Sequence, residues 1–234
     1  MSMNNQYGSA PSQLGVRPAT ALSQQLLTHA FGWMFAGLLL TAGVAAVVQG
    51  SETLTNFAYR NILLLFFGQL AIVIGISAAI QRINAVVALG LFFVYAASLG
   101  LTVGLVVQAY TTGSVAVAFL SASAMFGAAA VYGATTKRSL ASIGGILFMG
   151  LIGLIVASVL NLFLHSTQVS WIISLVGVVL FTALTAYDVQ RIQTGDIAAA
   201  TGSVEKGAVI GALRLYLDFI NLFFFLLRLT GGRR

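Results

Sequence analysis

The chain has 234 residues, 59% of them hydrophobic and 7% charged, with a mean hydropathy of +1.00. Soluble domains carry about 25% charged residues, so this composition excludes a soluble globular protein and makes lipid the solvent for most of the chain. The formal charge of +6 comes from 11 Lys and Arg against 5 Asp and Glu, and the cations are scattered between apolar runs, which argues for membrane topology and against nucleic-acid binding.

Residues 1–20 are polar, contain both prolines (Pro11 and Pro18) and carry Arg17 as their one charge. They read as a disordered arm preceding a single membrane domain over 21–234. The apolar run that follows is too long for a signal-peptide core, so it reads as a retained span. Crossing about 30 Å of hydrocarbon takes about 20 residues. Runs of that kind lie at 29–49, 62–80, 85–107, 114–134, 143–164, 169–188 and 207–229. They are continuously apolar and do not alternate, which selects helices over a barrel. The expected fold is therefore all-α and polytopic, with seven transmembrane helices.

The segments between the runs hold the polar residues: 50–60, 81–82, 110–113, 137–138, 165–168 and 191–206. Counting crossings places Arg17, Arg82, Lys137, Arg138, Arg191 and Lys206 on one side. Arg60 and the tail, with Arg233 and Arg234, fall on the other. The excess of basic loops puts the first side, and the N-terminus, in the cytoplasm. A last segment that re-enters and returns is the alternative to a seventh crossing, because it would bring the two tail arginines back inside. Small residues recur four apart at Gly100/Gly104, Ser123/Gly127 and Gly207/Gly211, a spacing that lets helices approach within a bundle.

The scarcest residues in the spans are acids. No acid lies between Glu52 and Asp188, and Asp218 sits about eleven residues into the last run. A carboxylate at the centre of a membrane helix costs roughly 2.5–3.5 kcal/mol on insertion scales. Asp188 and Asp218 lie on consecutive, antiparallel helices, so packing can bring them together. Two carboxyls in one dry site favour sharing a proton, and their hard oxygens suit Ca²⁺. Each also has a plain structural reading. Asp188 has Arg191 three residues on, and Asp218 has Arg214 one turn earlier, so each has a cation at ion-pair spacing. Arg228 reads as a snorkelling anchor near a helix end, and Arg82 as a topology marker. Gln69 and other polar groups within the spans read as bonds between helices. Cysteine is absent, and the two histidines, His29 and His165, are far apart. No phosphate loop, nucleophile–base arrangement or metal-ligand cluster occurs, so neither enzyme activity nor a resident cofactor is expected. An intramembrane aspartyl protease would also use two membrane aspartates, but the flanks of Asp188 and Asp218 lack the glycine associated with that chemistry.

Three strings in the C-terminal half carry a family likeness. Leu215-Tyr-Leu-Asp-Phe-Ile-Asn-Leu-Phe223, followed by Leu226-Leu-Arg228, resembles the last helix of the Bax inhibitor-1 family. Thr185-Ala-Tyr-Asp188 resembles its sixth helix, and Thr135-Thr-Lys-Arg-Ser-Leu140 the loop before its fifth. The likeness runs from about Thr20 to the end and is nearest to bacterial inner-membrane members. It implies six helices around a central C-terminal seventh, and a pH-sensitive calcium leak gated by protonation of the Asp188–Asp218 pair. It further implies that Arg82 latches onto the pair in the closed state and that Arg228 matches a late family arginine. Gln69 lies nearest to where several members carry a second-helix glutamate, and Arg214 stands where an uncharged residue is expected. The implied partners are the lipid bilayer, calcium ions, protons and other membrane proteins. Two other functions stay open: a regulatory interaction protein that uses residues 1–20 as its handle, and a proton-coupled cation exchanger.

Overall fold

A computed structural model describes residues 20–232. The expected polar arm, with Arg17, and the terminal Arg233 and Arg234 lie outside the described residues. The described chain is helical throughout, with no strand: α1 (Thr20–Gln49), α2 (Glu52–Arg60), α3 (Ile62–Ala79), α4 (Ala85–Gln108) and α5 (Thr112–Thr135), then α6 (Gly144–Leu164), α7 (Thr167–Gln193), α8 (Asp196–Thr201) and α9 (Val204–Thr230). Seven of these are long and apolar enough to cross a membrane, as expected.

Helix ends are set by local chemistry. Ser51, Asn84, Thr111, Ser166 and Ser203 each accept a bond from a first-turn backbone N–H, capping α2, α4, α5, α7 and α9. His165 ends α6 in the left-handed conformation. Gly195 and Gly202, both at positive φ, bracket α8. Two expected connections therefore contain helices. Segment 50–60 folds as α2, because Ser51 caps it and Glu52 and Arg60 sit at the ends that suit their charges. Segment 191–206 holds the end of α7, all of α8 and the start of α9.

α9 is the central helix. Its most apolar window is 72% buried, against 11% for α3 and for α6. α1, α4, α5 and α7 pack on α9, while α3 packs mainly on α4 and α6 on α7, outside that inner group of four. The outer faces expose large apolar side chains such as Leu63, Phe67, Phe148 and Phe163, as a lipid-facing surface requires. Two of the three small-residue pairs serve internal packing. A side chain at Gly100 or Gly104 would strike α1 at Val44 or Val48. One at Gly207 or Gly211 would press on Ala198, or on Ile192 and Ala30. Gly127 faces open space. α9 is one unbroken pass. Its C-terminal end docks on the α4–α5 turn, where Thr111 donates its backbone N–H to the Gly232 carbonyl at 3.1 Å, and Gly232 donates to the Ser114 hydroxyl at 2.9 Å. The first and last described residues thus lie at opposite ends of the bundle.

Candidate functional site

Asp188 is not at the end of its helix. α7 continues to Gln193, and α9 begins at Val204, so both helices are longer than their apolar runs. Close approaches fix the register between them. Gly211 faces Ile192 and Gly177 faces Phe225, which puts Asp188 level with Arg214 and Asp218 one turn deeper, about 6 Å along α9. α8 flanks the first turns of α9 (Gly207 lies against Ala198), so those turns extend beyond the end of α7.

This register decides which cation meets which acid. Arg214 donates from Nη1 to Asp188 Oδ1 at 2.9 Å, and this is the one ion pair among the described residues. Neither partner is the one its own helix would offer. Arg191, a turn beyond Asp188, lies over the Tyr187 ring instead, with its guanidinium carbon 5.6 Å from the centroid. Asp218 makes no ion pair with Arg214. It is 4% exposed, and its Oδ2 is buried with no hydrogen-bond partner. Buried carboxylate oxygens are normally satisfied, so this atom is the outlier among the described residues.

Both aspartates line one cavity of about 480 Å³, bounded by α6, α7 and α9. Arg191 and Arg214 share its wall, with Asn221 one turn beyond Asp218 and Tyr187 below Gly144. With all groups ionised, the four charges sum to zero. Among the described residues no three or more His, Asp or Glu side chains gather as a metal cage. Ca²⁺ takes about six to eight oxygens, so a cation meeting only this pair keeps most of its water. The chemistry on offer is transient attraction and proton exchange.

The other sequence candidates lie elsewhere. Arg82 is exposed in the turn between α3 and α4 and lines neither this cavity nor the one beside it. Gln69 donates to the Ser98 carbonyl at 3.0 Å and to the Thr102 hydroxyl at 2.9 Å, so it ties α3 to α4 and faces away from the acids. Arg228 is exposed, two residues before the end of α9.

Two supports of the site were missed in the sequence. Gln190 accepts from the Leu140 N–H at 2.6 Å and donates to the Arg138 carbonyl at 2.9 Å, pinning the α5–α6 loop to α7 two residues from Asp188. On the opposite face of α9, Tyr216 meets Thr41, whose hydroxyl also reaches the Ala96 and Gly37 carbonyls. Thr41 has one proton to give to a carbonyl, so Tyr216 donates to it. That knot holds α1, α4 and α9 together two residues from Asp218. Asn221 had a visible signal, since it lies three residues after Asp218 and so on the same face. Gln190 had none, because its partners are some fifty residues away in sequence.

A family model described as inhibitor of apoptosis-promoting Bax1 matches residues 23–234. The chain is 42% identical over 229 residues to the Escherichia coli inner membrane protein YbhL, covering 94% of this chain and 96% of that one. It is 38% identical to an uncharacterised protein of Borreliella burgdorferi, over 91% of this chain and 94% of that one. An uncharacterised Deinococcus radiodurans protein is 40% identical, over 88% and 90% respectively.

Proposed function

The chain belongs to the Bax inhibitor-1 family, and on that premise we propose that it is a pH-sensitive calcium leak of a bacterial inner membrane, gated by protonation of the Asp188–Asp218 pair. The observation that carries this reading is the buried, unpartnered Asp218 oxygen in the same cavity as Asp188. An oxygen kept dry without a donor is the place where a proton or a passing cation gains most. The inner-membrane placement follows the E. coli relative's name and the seven apolar helices. The end bearing Arg82, Lys137, Arg138 and Lys206 faces the cytoplasm on the positive-inside rule.

The gate follows from the ion pair. With Asp188 ionised, its bond to Arg214 ties α7 to α9 at the level of the cavity. A proton taken up at Asp218 and shared with Asp188 lowers the charge on Asp188, weakens that tie and lets the two helices part. Without the proton, the tie re-forms. Arg214 thereby fills the part that the family likeness implies for Arg82.

Calcium flux from proteoliposomes across a pH series tests this reading. Wild-type flux should rise on acidification. Asp188→Asn should hold flux near its acid level at every pH, because the tie is gone. Asp218→Asn should flatten the pH profile, because the proton site is gone. A D218N protein with unchanged flux and unchanged pH dependence would refute the proposal.

A further inference from the structure

A second cavity, of about 420 Å³, lies beside the first at the end of the bundle that carries the basic loops. It is enclosed by α3, α7, α8 and α9. Arg191 and Arg214 line both cavities and form the partition between them. The two spaces have opposite chemistry. The first holds two aspartates with the two arginines, whereas the second holds the same arginines and no carboxylate. Its other polar walls are Ser77, Gln81 and Thr201. Lys206 adds a third cation at the rim, donating from Nζ to the Gln81 carbonyl at 3.1 Å. Arg214 is held by Asp188, but no carboxylate bonds Arg191 among the described residues.

The rim is open. Ser77, Ala78, Gln81 and Ala200 are exposed, and α3 is anchored mainly to α4, which leaves its inner side facing α9 across a gap. Val73, Ile210, Leu213 and Leu217 line that gap with apolar surface. The whole is a cationic socket with an apolar slot beside it, at the depth where helices end. Planar guanidinium groups match phosphate oxygens in pairs. A basic pocket between helices near the membrane surface is the arrangement that takes a lipid headgroup.

We propose that this cavity binds a phosphodiester anion, with Arg191 and Arg214 on the phosphate, Lys206 at the rim and an acyl chain of a membrane lipid in the apolar slot. A lipid headgroup and a soluble phosphate share this chemistry. The apolar slot favours the lipid. Because Arg214 also holds Asp188, an anion here competes with that carboxylate for the guanidinium.

The test is native mass spectrometry of the full chain in detergent, titrated with phosphatidylglycerol, phosphatidylcholine or inorganic phosphate. It reads bound lipid and not flux, so its outcome is separable from that of the calcium reading. Wild type should retain phosphatidylglycerol over phosphatidylcholine, and excess inorganic phosphate should not displace it. Arg191→Gln should lower retention about fivefold, the worth of one basic residue at an anionic lipid surface, and Arg191→Lys should restore most of it. Arg138→Gln, at the same end but outside the cavity, should leave retention unchanged. Retention that is equal in R191Q and wild type, or that falls as far in R138Q, overturns the proposal. Displacement by inorganic phosphate overturns the assignment to a lipid.

Discussion

At the scale of single residues, the two buried acids are unequal. Asp188 is buried and held by a guanidinium, whereas Asp218 is buried and keeps one oxygen unpartnered. Both acids were legible in the sequence because carboxylates are rare in apolar helices. Their partners were not. Reasoning along one helix offers Arg191 to Asp188 and Arg214 to Asp218, but the contact between helices overrules both and gives Arg214 to Asp188. The pairing can be measured as stability. Arg214→Gln removes the cation and leaves Asp188 buried alone. Breaking a fully buried pair costs about 3–5 kcal/mol. The Arg214 side chain is 40% exposed, so a loss nearer about 2 kcal/mol is expected in detergent unfolding. The double variant D188N/R214Q should recover most of it. Equal stability of R214Q and wild type would show that the bond contributes nothing.

At the scale of elements, the seven spans were legible from apolar runs alone, and their ends were not. Apolarity stops where lipid stops, but a helix stops at its cap. α7 runs past its apolar run to Gln193, and α9 starts at Ser203's cap. Those extra turns set the levels of Asp188 and Arg214. Close contacts then hold the register. Gly133 on α5 lies against the backbone of Ala186, two residues from Asp188. A side chain there has no flexible neighbour to displace, so α5 and α7 must part. Gly133→Leu should cost at least about 1–3 kcal/mol, as overpacking does, and should disturb flux although Gly133 lines neither cavity. Gly127→Leu on the same helix, facing open space, is the matched control and should change neither. Equal melting of the two variants would contradict the packing described.

At the scale of the whole molecule, the central helix carries both Arg214 and Asp218, and α1, α4, α5 and α7 all pack on it. The sequence left open whether the last segment crosses or returns, because the two tail arginines oppose a seventh crossing. Packing decides it: α9 passes once through the bundle, and Gly232 docks on the α4–α5 turn at the far end. A topology reporter fused after Arg234 should therefore read the side opposite to one inserted in the Lys137–Arg138 loop. The same side for both would contradict the seven-crossing fold. The proposed gate requires the Asp188–Asp218 pair to take up a proton and to meet calcium. Infrared difference spectroscopy of the purified protein, titrated from alkaline to acid with and without Ca²⁺, tests it most directly. The expected result is a protonated-carboxyl band that grows on acidification, is suppressed by Ca²⁺ and is lost in D218N. A titration with no such band, or a band that D218N and Ca²⁺ leave unchanged, would contradict the claim.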